Sequence, residues 1–255
     1  MIRVCLAGAT GWMGRPLAAA IDASGDLDLV AAVARRGRGE RLGELTLQGS
    51  VAEALRTPSD VFVDYTSAAA VKGHVELALA AGRHVVVGSS GLSDADFAEI
   101  DAAARESGVG VVAVGNFAVS AALLQRFAIE AARHLPSWEI LDFADGGKID
   151  APSGMARELA WSLARVAPAA TGVPLEDTVG LRASRGATVN GSQIHSLRLP
   201  GYTIGLEVRF GRQDERLTLH YDGGPGAQPY IAGTLLAIRR VPEVRGLVRG
   251  MDGIL

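Results

Sequence analysis

The sequence predicts an α/β protein: a parallel sheet wrapped by helices in the first half, then a smaller α+β domain. Three observations carry this reading. Valine-rich apolar runs alternate with alanine-rich helical patterns from the start of the chain, the signature of βαβ units with strands buried on both faces. After about residue 117 the texture changes to helices beside consecutive alternating strands. Glycine is frequent, at 32 residues, and aromatics are only 5%, which suits many tight turns between strand and helix.

The elements follow in order. "IRVCLAG" reads as a buried strand ended by glycine, and "GRPLAAAIDAS" has helical spacing. "LDLVAAVA" and "VFVDYT" are further strands, "VKGHVELALAAG" a helix and "HVVVGSSG" a strand. "DADFAEIDAAARESG" is a helix, for which Ser93 followed by Asp94 and Asp96 supplies a start signal. "VGVVAVGNFA" closes the first half. "VSAALLQRFAIEAARHL" is one long helix stopped near Pro136, "WEILDFAD" a strand and "SGMARELAWSLARVA" a helix. "SQIHSLRLPG", "YTIGLEVRFG" and "ERLTLHYDGG" alternate as strands, and "YIAGTLLAIRRV" is expected to be the final helix.

Bulk properties narrow the function. A chain of 255 residues buries a sizeable core unaided. A net charge of −3 sets up no field that would recruit nucleic acid. Cys5 is the only cysteine, so no disulfide or cysteine-rich metal site is expected, and no two histidines have metal-binding helix spacing. No charged leader with an apolar stretch follows Met1, and no run reaches the roughly 20 apolar residues that span a bilayer. A cytoplasmic protein without a membrane partner is expected.

"LAGATGWMGRPL" sets Gly8, Gly11 and Gly14 directly after the first strand and at the mouth of a helix. A tight turn there needs residues without Cβ, and the helix N-terminus offers free N–H groups to a pyrophosphate. The spacing is G-x-x-G-x-x-G, one step from the usual dinucleotide fingerprint, in the strand-to-helix context that the fingerprint requires. A Rossmann-type domain is therefore expected, with Thr10, Trp12 and Met13 in the same cofactor turn. Where NAD enzymes carry an acid at the end of the second strand, this chain reads "AAVARRGRG". Arg35 and Arg36 would pair with a 2′-phosphate, so NADPH is favoured and NADH remains possible.

The second candidate is "GGKIDAPSGMA", which holds Lys148, one of only two lysines. Ser153 and Gly154 open a helix able to hold a carboxylate, and Asp150 could cap it or neutralise Lys148. Lys148 is a mobile cation able to give a proton as hydride arrives.

"K-x-D-A-P-S-G", together with "G-A-x-G-x-M-G" near the start, resembles the dihydrodipicolinate reductase family. The likeness runs through "VFVDYT", "HVVVGSSG", "GNFAVS", "IHSLRLPG", "EVRFG" and "ERLTLHYD". It implies an NAD(P)H-dependent reductase of a cyclic imine, by default 4-hydroxy-tetrahydrodipicolinate in lysine biosynthesis. It also implies a dinucleotide domain over residues 1–117 and 223–255, an inserted substrate and oligomerisation domain over 118–222, and a homotetramer. Gly88, Ser89 and Gly91 should lie near the nicotinamide. Tyr65, Thr66, Asn116 and Phe117 should line the cofactor site, and Ser153, Gly154, Met155 and Asp145 the substrate site.

There are departures. The family's His-His pair before the lysine falls, aligned without gaps, on Ala144 and Asp145. Met155 stands for a threonine, Ala118 for a serine, and "TIGLEV" lacks a histidine. Two alternatives follow: a divergent member reducing a less anionic imine or enamine, or a dinucleotide-binding protein without turnover.

Overall fold

The structure, a computed structural model, describes residues 1–255. In chain order the elements are β1 (Ile2–Ala7), α1 (Gly14–Asp22), β2 (Leu27–Val33), β3 (Arg41–Leu42), β4 (Leu45–Thr46), α2 (Val51–Ala54), β5 (Val61–Asp64), α3 (Val71–Ala80), β6 (His84–Val87), α4 (Asp94–Glu106) and β7 (Gly110–Ala113). There follow α5 (Val119–Ala132), β8 (Ser137–Ala144), α6 (Gly154–Ala164), β9 (Ala187–Val189), β10 (Ser192–Arg198), β11 (Ile204–Arg212), β12 (Glu215–Gly223), α7 (Gln228–Arg240) and β13 (Gly246–Arg249). The chain divides into two compact units, one of Met1–Val119 with Ala227–Leu255 and one of Ser120–Gly226.

The first unit is built on a six-stranded sheet ordered β13-β7-β6-β5-β1-β2. Every pairing in it is parallel. The strands are near-continuous valine and alanine because helices bury both faces: Val61, Phe62, Val63, Val85 and Val86 are all fully buried. From β1 the chain passes to β2 on one side and then to β5 on the other. The order therefore reverses beside β1, and ligands of such sheets bind at the carboxyl ends of the strands flanking that reversal. Ser93 caps α4 as its sequence position suggests: its Oγ accepts from the Asp96 N–H, and Asp96 Oδ2 accepts from the Ser93 N–H at 2.8 Å.

One expectation is corrected here. "YIAGTLLAIRRV" is not the last element, since β13 follows α7 and adds a strand to the sheet edge. Its four residues, Gly246–Arg249, end in an arginine and lack the run of valines that marks the equally short β5 and β6.

The second unit is a five-stranded mixed sheet ordered β12-β11-β8-β10-β9. β10 runs parallel to β8, and β11 is antiparallel to both β8 and β12. Alternation along these strands sorts the side chains by face. Trp138, Ile140, Ile194, Leu206, Val208 and Phe210 form the buried face, with α6 packed on β8 and β10. In the same registers the other face carries Glu139, Gln193, His195, Glu207, Arg209 and His220.

Candidate coenzyme and substrate sites

The glycine turn after β1 leaves no room for side chains. Gly8 has φ +84°, and a Cβ on it would lie 2.1 Å from the Tyr65 carbonyl oxygen. A Cβ on Gly14 would lie 2.1 Å from the Gly8 oxygen, so the third glycine lets α1 pack closely on the turn. α1 begins without a side-chain cap on its N-terminus and without an acid in its first turn. No acid of its own first turn therefore competes for the positive end of its dipole. Trp12 is exposed and stands edge-on to Tyr230 at 5.6 Å between ring centroids, whereas Met13 is buried. At the end of β2 the place of an acid is taken by buried Ala34, with Arg35 and Arg36 exposed beyond it. These residues fit a dinucleotide.

The turns after β5 and β6 are laced together. Asp64, fully buried, accepts from the Thr66 N–H at 3.0 Å, the Thr66 hydroxyl at 2.8 Å and the Ser89 hydroxyl at 2.5 Å. Gly88 is pinned under the Tyr65 ring, which a Cβ there would meet at 2.1 Å, and Gly91 lies against Ala68. Three expected cofactor residues have side chains engaged within the chain. The Tyr65 hydroxyl shares a 2.6 Å hydrogen bond with Thr234 of α7, its ring lies 6.0 Å from that of Phe117, and burial pushes its phenol up. Phe117 is buried, and the buried Asn116 side-chain oxygen accepts from the Ala118 N–H at 2.8 Å. A sequence pattern names such positions without saying which way their side chains point.

In the second unit the Lys148 turn is built from its own polar atoms. Asp145, exposed, accepts from the Gly147 N–H at 2.8 Å, and its carbonyl accepts from the Lys148 N–H at 3.0 Å. Lys148 Nζ lies 2.7 Å from Asp150 Oδ1. Burial pushes the Asp150 carboxyl up, but Lys148 outweighs it and the net direction is down. Ser153 caps α6, its Oγ accepting from the Ala156 N–H.

Beneath this turn lies a pair that sequence reasoning missed. Asp142 is fully buried and accepts from the Ser153 N–H at 2.9 Å, the Ser196 hydroxyl at 3.0 Å and Arg198 Nη2 at 2.8 Å. The same Arg198 nitrogen donates to the Asp150 carbonyl at 2.8 Å. Burial raises the Asp142 carboxyl, yet Ser153 and Arg198 bring it below its usual range. Arg198 is largely buried and ties the Lys148 turn to the sheet. The available signal was alternation in "WEILDFAD", which puts Asp142 on the face of Trp138 and Ile140.

One substrate-side expectation also changes. The Met155 side chain is fully buried on α6, so its thioether packs inward and cannot supply apolar surface to a substrate. Ala144 is fully buried in β8 and offers no titratable group. His195 bonds to Glu139 at 2.8 Å, and His220 lies between Glu207 at 3.0 Å and Asp222 at 2.7 Å. No group of three or more histidine, cysteine or acidic side chains is arranged to hold a metal ion.

Comparison with known proteins matches two family models end to end. Residues 2–117 match the dihydrodipicolinate reductase N-terminus and residues 120–255 the dihydrodipicolinate reductase C-terminus. The chain is 36% identical over 265 residues to a 4-hydroxy-tetrahydrodipicolinate reductase of Desulfitobacterium hafniense, covering 100% of this chain and 98% of that one. It is 37% identical over 267 residues to its counterpart from Moorella thermoacetica, with the same coverage. Among solved structures, a dipicolinate-bound dihydrodipicolinate reductase from Paenisporosarcina sp. TG-14 is 29% identical, with a TM-score of 0.83 over 100% of both chains. GenD2 of gentamicin A biosynthesis, in complex with NAD, is 18% identical with a TM-score of 0.66 over 98% of this chain and 89% of that one, a likeness of fold alone.

Proposed function

The chain belongs to the dihydrodipicolinate reductase family, and from that premise we propose that it reduces 4-hydroxy-tetrahydrodipicolinate in lysine biosynthesis, using NADPH. It is an NAD(P)H-dependent oxidoreductase. The observation that carries the rest is the pairing, in one chain, of the uncapped glycine turn at Gly8–Gly14 with the ordered Lys148–Ser153 turn.

The coenzyme, when bound, supplies a hydride. The residues Gly8, Thr10, Gly11 and Gly14 and the open end of α1 would hold its pyrophosphate. Arg35 and Arg36 would hold the 2′-phosphate as a guanidinium clamp, and no carboxylate at the end of β2 stands ready for a bare ribose. Gly88, Ser89 and Gly91 would border the nicotinamide. Ser153 Oγ and the Ser153 N–H are already engaged within the chain, so the N–H of Gly154 is the better anchor for a substrate carboxylate. Lys148 would hold a proton at Nζ beside the substrate, with Asp150 at 2.7 Å fixing the direction of the ammonium. With Ala144 in place of an imidazole, Lys148 is the acid this turn provides.

Following NADPH absorbance with the lysine-pathway substrate tests the reading. Turnover by the wild type and a loss of about 10²–10⁴-fold in Lys148→Ala are expected. A wild type that leaves this substrate untouched but oxidises NADPH with a less anionic cyclic imine would favour the divergent reading, which Ala144 and the exposed Asp145 support. The opposite face of the second unit's sheet, rich in charged side chains, is proposed as the contact face of a homotetramer. The structure has no helix long and apolar enough to cross a membrane.

A further inference from the structure

Asp64 receives one more hydrogen bond, and it comes from a residue with no part in the reading above. His74, on α3, lies with Nδ1 2.8 Å from Asp64 Oδ2 and 3.3 Å from the Thr66 hydroxyl. A carboxylate oxygen accepts, so Nδ1 carries the proton and the imidazole is held in one tautomer. Asp64 thus takes four donors: two from Thr66, one from Ser89 and one from His74. Ser89 is bound from both sides, since its Oγ also accepts from the Thr66 N–H at 2.7 Å. Asp64, Thr66 and Ser89 lie at the carboxyl ends of β5 and β6, beside the reversal of strand order.

We propose that Asp64 and His74 form a positioning pair that fixes the spacing of the coenzyme turns around the nicotinamide end. The inference rests on the proposed coenzyme site. Its physical basis is the chain of contacts that starts at the buried carboxylate. Asp64 fixes Thr66 and Ser89 directly. Tyr65 lies between Asp64 and Thr66, with its carbonyl against Gly8 and its ring over Gly88. A shift at Asp64 therefore moves the turns after β1, β5 and β6 together. A buried carboxylate with four donors is well satisfied, and removing a donor to a charged group is costly. His74 touches no expected substrate atom. It acts through Asp64 and Thr66 and is a positioning residue.

Binding measured by calorimetry on the full chain tests this with two probes, NADPH and the adenosine-bisphosphate half of the coenzyme, which lacks the nicotinamide. In His74→Ala, NADPH affinity is expected to fall about tenfold or more, the scale of a hydrogen bond to a charged group, while the adenosine half binds as before. His74→Asn, which sets an amide N–H where Nδ1 stood, is expected to restore most of the NADPH affinity. Unchanged NADPH binding in His74→Ala overturns the proposal, and so does an equal loss for both probes, the mark of general disorder. His74→Asn as weak as His74→Ala overturns the role of the Nδ1 donor. A wild type that binds no NADPH sinks the coenzyme site itself, whereas wild-type binding with an indifferent His74→Ala sinks this inference alone.

Discussion

Gly8 shows how much a single residue can disclose. Its φ of +84° and the 2.1 Å gap to the Tyr65 carbonyl exclude any other side chain without a shift of backbone. Gly8→Ala should therefore weaken NADPH binding and lower the melting temperature together, since the strain falls on the turn and on β5 alike; calorimetry and a thermal melt read the two effects. This residue was legible in the sequence because its reason is local: a turn, a helix mouth and a spacing. Lys148 was legible for the same reason. Asp142, Arg198 and His74 were not, because their roles come from partners 56 and 10 residues away that only the folded chain brings together. Met155 was legible in identity but not in direction, and only its burial on α6 tells that it faces the core.

At the scale of elements, the Lys148 turn depends on the sheet beneath it. The Arg198 guanidinium joins Asp142 of β8 to the Asp150 carbonyl, and the Asp142 carboxylate holds the start of α6. Removing one member of a buried pair leaves the other uncompensated, so Arg198→Ala should cost about 3–5 kcal/mol by denaturant unfolding. Arg198→Ala with Asp142→Leu should cost less than the sum of the two single changes. The net depression of the Asp142 carboxyl gives a sign: its contribution is complete above the unfolded value of about 3.9 and fades as pH falls through the folded value.

The β11–β12 hairpin behaves in the opposite way. Hydrogen bonding to Asp222, and then to Glu207, holds His220 above its usual value. Its contribution is complete below about pH 6.5 and is lost as pH rises through the folded value. His220→Gln should flatten that slope in unfolding curves taken across neutral pH, and an unaltered slope would show that His220 does not set it. The strands themselves were legible from alternation. The β3–β4 hairpin and β13 were not: β3 and β4 have only two residues each, and β13, ending in an arginine, lacks the run of valines that marked the equally short β5 and β6.

For the whole molecule, two sequence textures became two units: a parallel sheet where valine runs were continuous and a mixed sheet where polar and apolar residues alternated. A ligand that binds only the folded chain stabilises it, by about 2.7 kcal/mol at a hundredfold excess over Kd. NADPH should therefore raise the melting temperature more than NADH does at equal concentration, and Arg35→Ala with Arg36→Ala should erase the difference. An NADH shift as large as that of NADPH in the wild type would remove the guanidinium argument.

The family's reaction joins all of this, and isotope transfer tests it most directly. NADPH carrying deuterium at the transferable C4 position is incubated with 4-hydroxy-tetrahydrodipicolinate and the wild type or Lys148→Ala, and the product is weighed by mass spectrometry. The wild type should place the label in the reduced ring, and Lys148→Ala should do so about 10²–10⁴ times more slowly. An unlabelled product, or labelling at the wild-type rate without the lysine, would contradict the account.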